Sequence, residues 1–139
     1  MIMLDSNIII YAYNRDAPER QYCLPIIRNA ILGELDTALS VLSLFEVYHV
    51  LAQRIQRPLP ESQVSQIVLD LALSRNIRKF EITESLFIEA ITIAEEYSIN
   101  INDALLASTM RSIGSEEIYS HDSDFDKVEF IRRVDPIPL

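Results

Sequence analysis

Cysteine occurs once in this 139-residue chain, at Cys23, tryptophan is absent, and lysine stands only at Lys79 and Lys127. A single thiol excludes a disulfide framework and any multi-cysteine zinc or iron–sulfur site, and it fits a reducing, intracellular setting. Basic side chains are outnumbered 12 to 21, for a net charge of −9. Binding to nucleic acid through bulk charge is thereby excluded, and any such contact has to be local. The basic set is almost all arginine, the side chain suited to bidentate phosphate contacts, although surface ion pairing accounts for the same bias. Long apolar runs are also missing. The opening stretch MIMLDSNIIIYAYNRD has no basic region ahead of its apolar residues and is interrupted by Asp5, so neither a signal peptide nor a membrane span is expected, and a cytoplasmic location is.

What the chain does have is 49% apolar residues, enough for one compact domain over residues 1–139 and too many for intrinsic disorder. Met1 to Leu4 reads as a short buried strand, and Ser6 to Tyr13 as a short helix after it. Apolar residues recur at helical spacing from Pro18 to Leu32, with Pro25 expected to kink or split that helix and Gly33 to cap it. Thr37 to Val41 suits a strand, and Ser43 to Gln56 a helix with Leu44, Val47, Tyr48, Leu51 and Ile55 on one face. Pro60 suits the first turn of the next helix, with Val64, Ile67, Val68 and Leu71 inward. Lys79 to Ile82 follows as a strand. Thr83 is placed to cap a helix that turns Phe87, Ala90, Ile91 and Ala94 inward. A helix from Ile101 to Ile113 stops at Gly114, Glu117 to Ser120 and Phe130 to Val134 read as strands, and the acidic loop His121 to Asp126 lies between them. This alternation implies a three-layer α/β/α sandwich around a mainly parallel sheet, because parallel neighbours need crossover connections.

In such sheets ligands gather beyond the carboxyl ends of the strands. Asp5 follows the first strand, Glu46 lies early in the helix after the second, and Asp122 follows the fourth, so all three are expected at one edge. Asp103 opens the helix beginning near Ile101 and is expected there too. At about 4 Å each like-charge pair costs on the order of 4 kcal/mol at an effective dielectric of 20, and a divalent cation would remove the conflict. A donor set made only of carboxylates favours Mg²⁺ or Mn²⁺ over zinc. An ion of that kind activates water for in-line attack on a phosphodiester, which is hydrolytic nuclease chemistry.

Four segments carry a resemblance: Leu4-Asp5-Ser6-Asn7, Leu44-Phe45-Glu46-Val47, Asn102-Asp103-Ala104 to Ala107, and Ser120-His121-Asp122-Ser123-Asp124-Phe125. In order and spacing they resemble the PIN-domain ribonucleases, and within them the VapC-like toxins of toxin–antitoxin pairs. The resemblance implies that Asp5, Glu46, Asp103 and Asp122 bind Mg²⁺ or Mn²⁺ and carry catalysis, with Asp124 as a further metal ligand and Asn7 and Ser120 in support. It also implies an RNA substrate, a small antitoxin that covers the groove, and a homodimer. His121 departs from the pattern, since many relatives carry a small polar or amide residue there.

Each acid has a plainer reading as well. Asp5 can simply cap the helix after it, Ser43 and Glu46 fit a capping box, and Asp103 suits a helix N-terminus as a charge. Ser120 to Asp126 can be a solvated turn. His49 reads as a surface residue and Cys23 as a small buried hydrophobe. Tyr11, Tyr13 and Tyr22 read as core packing more readily than as base-stacking groups. Arg15 and Arg20 beside them can hold phosphate, while Arg54, Arg57, Arg75, Arg78 and Lys79 form either a patch or scattered solvated charges. The competing functions are a catalytically silent module of the same fold that holds a regulatory partner, a PIN nuclease in RNA processing rather than a toxin, and a phosphohydrolase or phosphoacceptor domain, the last weakened because Asp5-Ser6-Asn7 replaces the usual Asp-x-Asp after the first strand.

Overall fold

The computed structural model describes residues 1–139. Five strands lie in one sheet, β1 (Ile2–Leu4), β2 (Thr37–Ser40), β3 (Ile77–Phe80), β4 (Glu117–Tyr119) and β5 (Arg132–Val134). Their order is β3-β2-β1-β4-β5, and every neighbouring pair is parallel. Six α-helices supply the crossovers: α1 (Ser6–Tyr13), α2 (Arg20–Leu32), α3 (Val41–His49), α4 (Glu61–Leu73), α5 (Glu84–Tyr97) and α6 (Ile101–Ile113). No helix is long and apolar enough to cross a membrane.

Side chains alternate across each strand, so adjacent residues feed opposite faces. Leu4 and Leu39 join Ile8, Ile27, Val47, Val64 and Leu71 of α1 to α4 in one buried cluster. Met3, Ala38 and Ile118 join Ala90, Ile93, Ala107 and Met110 of α5 and α6 in the other. The sheet is thus covered on both faces, the expected three-layer sandwich. Small residues on α6 allow α5 close, and the Ser108 hydroxyl donates to the Leu86 carbonyl at 2.9 Å.

The boundaries differ from the sequence reading at several places, each for a local reason. Pro25 does not split α2, because it sits in the second turn, where its missing N–H removes one bond near the helix start. Ser40, not Ser43, caps α3 by accepting from the Leu42 N–H at 3.2 Å, and the helix starts two residues earlier than expected. Its continuation Val50–Arg54 is π-helical. β3 lies at Ile77–Phe80 rather than at residues 79–82, since the buried Ile77 pairs with Thr37 and starts the ladder. On α5 the inward stripe is Ala90 and Ile93, whereas Phe87 and Ile91 are exposed. Apolar residues nearly surround that helix, so periodicity alone does not choose its face. The last strand begins at Arg132 rather than Phe130.

Both glycines do what their positions suggest: Gly33 at φ 80° and Gly114 at φ 72° are left-handed caps of α2 and α6. Ser98 adopts the same conformation at φ 55° at the end of α5, without a glycine's freedom. A side chain there costs about 1 kcal/mol or more. Ser98→Gly is therefore expected to raise the melting temperature by about 2–4 °C, while Ser98→Ala gives no rise; thermal unfolding of the three proteins checks this.

Candidate metal centre

The chain order of the strands reverses at β1, which has β2 on one side and β4 on the other. Its carboxyl end is the switch point at which open α/β sheets bind ligands. Leu4 lies opposite Tyr119, and the Asp5 N–H donates to the Tyr119 carbonyl at 3.0 Å, so Asp5 and Ser120 leave the sheet side by side.

Asp5 occupies the cap position of α1 but makes no side-chain capping bond. Its Oδ2 instead accepts from Ser120 Oγ at 2.6 Å, so the plain capping role is not the one it fills. Ser120 Oγ also accepts from the Asp122 N–H at 3.0 Å and from Asn7 Nδ2 at 3.4 Å, while Asn7 Oδ1 accepts from the His121 N–H at 3.4 Å. Two loops that follow neighbouring strands are laced together through this one hydroxyl.

Glu46 reaches in from α3. Its Oε2 accepts from Ser6 Oγ at 2.9 Å, and Ser43, the expected partner of a capping box, lies buried inside the helix instead. Asp103 does keep a helix-terminal role: its N–H donates to Asn100 Oδ1 at 2.9 Å, and its Oδ2 accepts from Asn100 Nδ2 at 3.0 Å. That leaves its other oxygen for the centre. Asp122 opens the short 3-10 turn Ser123–Lys127 and accepts the Asp124 N–H at 2.9 Å. One carboxylate oxygen from each of Asp103, Asp122 and Asp124 lies within 4.8 Å of the others.

Asp126 is drawn out of this group by a bidentate pair with Arg133, at 3.0 and 2.9 Å. His49 stacks on Phe45, with ring centroids 6.4 Å apart. Cys23 is buried in the core, as are parts of Tyr11 and Tyr13, whereas Tyr22 is largely exposed. Of the basic residues considered as a patch, three are committed elsewhere: Arg57 pairs with Asp16, Arg78 lies 3.9 Å from Asp36, and Lys79 folds back on the Ser74 carbonyl. The one cation at the acidic group is Lys127, whose Nζ is 3.2 Å from Asp124 Oδ1.

Electrostatics reflect this crowding. Burial pushes the Asp5 carboxyl from its usual 3.8 up to about 6, against the opposing bond from Ser120, with Glu46 and Asp122 adding repulsion. Burial likewise raises Asp103, and the charges of Asp122, Asp5 and Asp124 raise it further. Glu46 is raised by burial and held back by Ser6. The donor set is all oxygen, anionic and short of positive charge, which fits a hard divalent cation.

The PIN domain family model matches residues 2–131. The chain belongs to the PIN-domain family. Among curated PIN relatives, "Ribonuclease VapC24" of Mycobacterium tuberculosis is 29% identical over 99% of this chain and 97% of its own length. Two solved structures superpose closely. VapC20 of M. tuberculosis, titled a sarcin–ricin-loop-cleaving toxin, gives a TM-score of 0.75 at 18% identity over 94% of this chain and 97% of that one. A toxin–antitoxin complex from Klebsiella pneumoniae gives 0.70 at 18% identity, covering 100% of both chains. The PIN fold accounts for the placement of all four sequence segments at one sheet edge.

Three neighbours of the acidic group were not singled out by sequence: Ser6, Asn100 and Lys127. Ser6 sits within the Leu4 to Asn7 segment, and Asn100 three residues before Asp103 is a capping spacing that was legible. Lys127 carries no signal without the turn that folds it back.

The sign of the charge strain is testable. A carboxyl whose pKa is raised on folding holds its proton in the folded state while the unfolded chain has already lost it. Stability then falls as pH rises from about 4 through the folded-state value, and the full penalty persists above it. For Asp5 that window closes near pH 6. In EDTA, Asp103→Asn is expected to melt several degrees above the parent at pH 8, a gain of about 1–2 kcal/mol, and the gap is expected to close toward pH 4. Thermal melts across that range check it.

Proposed function

We propose that this chain is a ribonuclease that hydrolyses RNA phosphodiester bonds with Mg²⁺ or Mn²⁺, and that it acts as the toxin of a toxin–antitoxin pair. The single observation that carries the chemistry is the convergence of Asp5, Glu46, Asp103, Asp122 and Asp124 at the switch point with only Lys127 as a counter-charge. The ribonuclease name of the full-length relative supports the substrate. The likeness to the toxin–antitoxin complex from Klebsiella pneumoniae supports an antitoxin partner.

In this reading Asp103, Asp122 and Asp124 supply the closest set of oxygens for the ion, with Asp5 and Glu46 completing the acidic wall. When bound, such an ion lowers the pKa of water and stabilises the leaving oxygen of a phosphodiester. The protein's own work is positional. Ser120 fixes one oxygen of Asp5, Ser6 fixes one of Glu46, and Asn100 fixes one of Asp103, so these carboxylates are oriented in advance. Because the acids are already crowded in the folded chain, an arriving cation relieves repulsion as well as gaining ligands.

The test is cleavage of a mixed structured RNA by the purified protein with Mg²⁺, Mn²⁺ or EDTA, beside Asp5→Asn and Asp103→Asn. Cutting is expected only with metal and is expected to drop at least about 100-fold in each variant. Full activity of Asp103→Asn would overturn the assignment of that residue. Thermal stability supplies a second readout. Metal at 100 times its dissociation constant is expected to stabilise the parent by about 2.7 kcal/mol and Asp103→Asn far less. No cutting and no metal-induced stabilisation would favour the catalytically silent partner-binding module instead.

A further inference from the structure

α1 starts at the acidic centre and ends at a second polar cavity. Eight residues separate the two, about 12 Å along the helix axis. The cavity holds about 330 Å³ and is lined by Asn14, Arg15, Asp16, Arg57, Pro58 and Leu59. Arg15 is exposed and has no carboxylate partner. Arg57 uses its Nε and one terminal nitrogen on Asp16, which leaves its other terminal nitrogen open. Arg20 is anchored over the same helix end by its Nε, which donates to the Ala12 carbonyl at 3.2 Å.

Asp16 is itself held in place, its N–H donating to Asn14 Oδ1 at 3.2 Å. The Asp16–Arg57 pair therefore joins the end of α1 to the segment after the π-helical turn and fixes Arg57 as one wall of the cavity. The lining sets two arginines, Arg15 and Arg57, against one acid, Asp16, with Arg20 at the same helix end, a local excess of positive charge in a chain of net charge −9. The acidic centre is a poor place to hold an RNA backbone by charge, so affinity has to come from cations beside it.

We propose that this cavity is a phosphate seat for the RNA substrate, engaging the backbone a short way along the strand from the bond that is cut. Arg15 provides the principal free guanidinium and the open edge of Arg57 the second contact. The inference rests on the ribonuclease reading above and adds to it a direction for the strand, along α1. Since the contact is to phosphate, it confers affinity and register rather than base choice.

The test uses the full chain carrying Arg15→Ala, Arg15→Glu or Asp16→Ala, with a fluorescent single-stranded RNA of about a dozen nucleotides and a dinucleotide as substrates. On the Asp103→Asn background, binding by anisotropy is expected to weaken several-fold with Arg15→Ala and more with Arg15→Glu. The slope of log affinity against log salt is expected to fall by about 1. Asp16→Ala, which frees Arg57, is expected to tighten binding. In the active protein Arg15→Ala is expected to raise KM for the long RNA with kcat unchanged, and to leave dinucleotide cleavage untouched. Unchanged affinity and salt slope in both Arg15 variants would overturn the phosphate seat even if the parent cuts RNA. A parent that binds RNA with the expected Arg15 dependence but never cuts would overturn the nuclease reading and leave the seat standing. A parent that does neither overturns both.

Discussion

Asp5 stands at the end of the strand around which the other four are ordered, buried to 6% exposure, and its carboxyl group has one short neutral donor in Ser120 Oγ. That bond ties the exit of β1 to the exit of β4, the two strands flanking the reversal in chain order. Everything else at the acidic edge is arranged with respect to it. Asp122 hangs from the same hydroxyl through its N–H, Asn7 braces it from α1, and Glu46 is held through Ser6, the residue next to Asp5. Neutral donors fix the acids without cancelling their charge. A cationic donor in that role would cancel part of the charge that a metal ion would answer.

The cost of such a cluster falls on the rest of the molecule. Raised pKa values at Asp5, Glu46 and Asp103 mean that folding is opposed near neutral pH by groups the unfolded chain leaves solvated. Two buried clusters, one on each face of the sheet, offset this. α6 shows the coupling most directly, because it is buried from Asp103 through Met110. The helix that presents an acid at its first turn is also the one most deeply embedded in the core, so the carboxylate is held where a surface helix would let it move into solvent.

Much of this was legible in the sequence because it rests on local rules. Strand and helix alternation gave the parallel sandwich, and Gly33 and Gly114 marked the helix ends that they do cap. What failed was register and facing. Ser40 outcompeted Ser43 as a cap because β2 ends there, a tertiary fact. The inward face of α5 was misjudged because apolar residues surround it, and β3 was set by the pairing of Ile77 with Thr37 rather than by composition. The acids were found because strand ends can be located from sequence. Ser120 came with its segment, whereas Ser6 and Lys127 were not singled out, since nothing local distinguishes a serine that bonds a distant carboxylate from one that faces water. Asp126 illustrates the same limit, for only the fold shows Arg133 drawing it away from Asp124.

A chain of net charge −9 that acts on a polyanion meets long-range repulsion before any contact is made. Two features reduce it at short range. A divalent ion bound at the edge where the acids gather would offset part of their negative charge, so repulsion there would fall. Elsewhere several cations are spent on neighbouring carboxylates, as Arg57, Arg111, Arg132 and Arg133 show. A cation left without an acidic partner, such as Arg15, therefore carries more weight than its number in the composition suggests. Charge in this protein has to be read residue by residue, because the surface pairs cancel and the net sign reflects the excess of acids, while a local unpaired cation is what an anionic strand would meet.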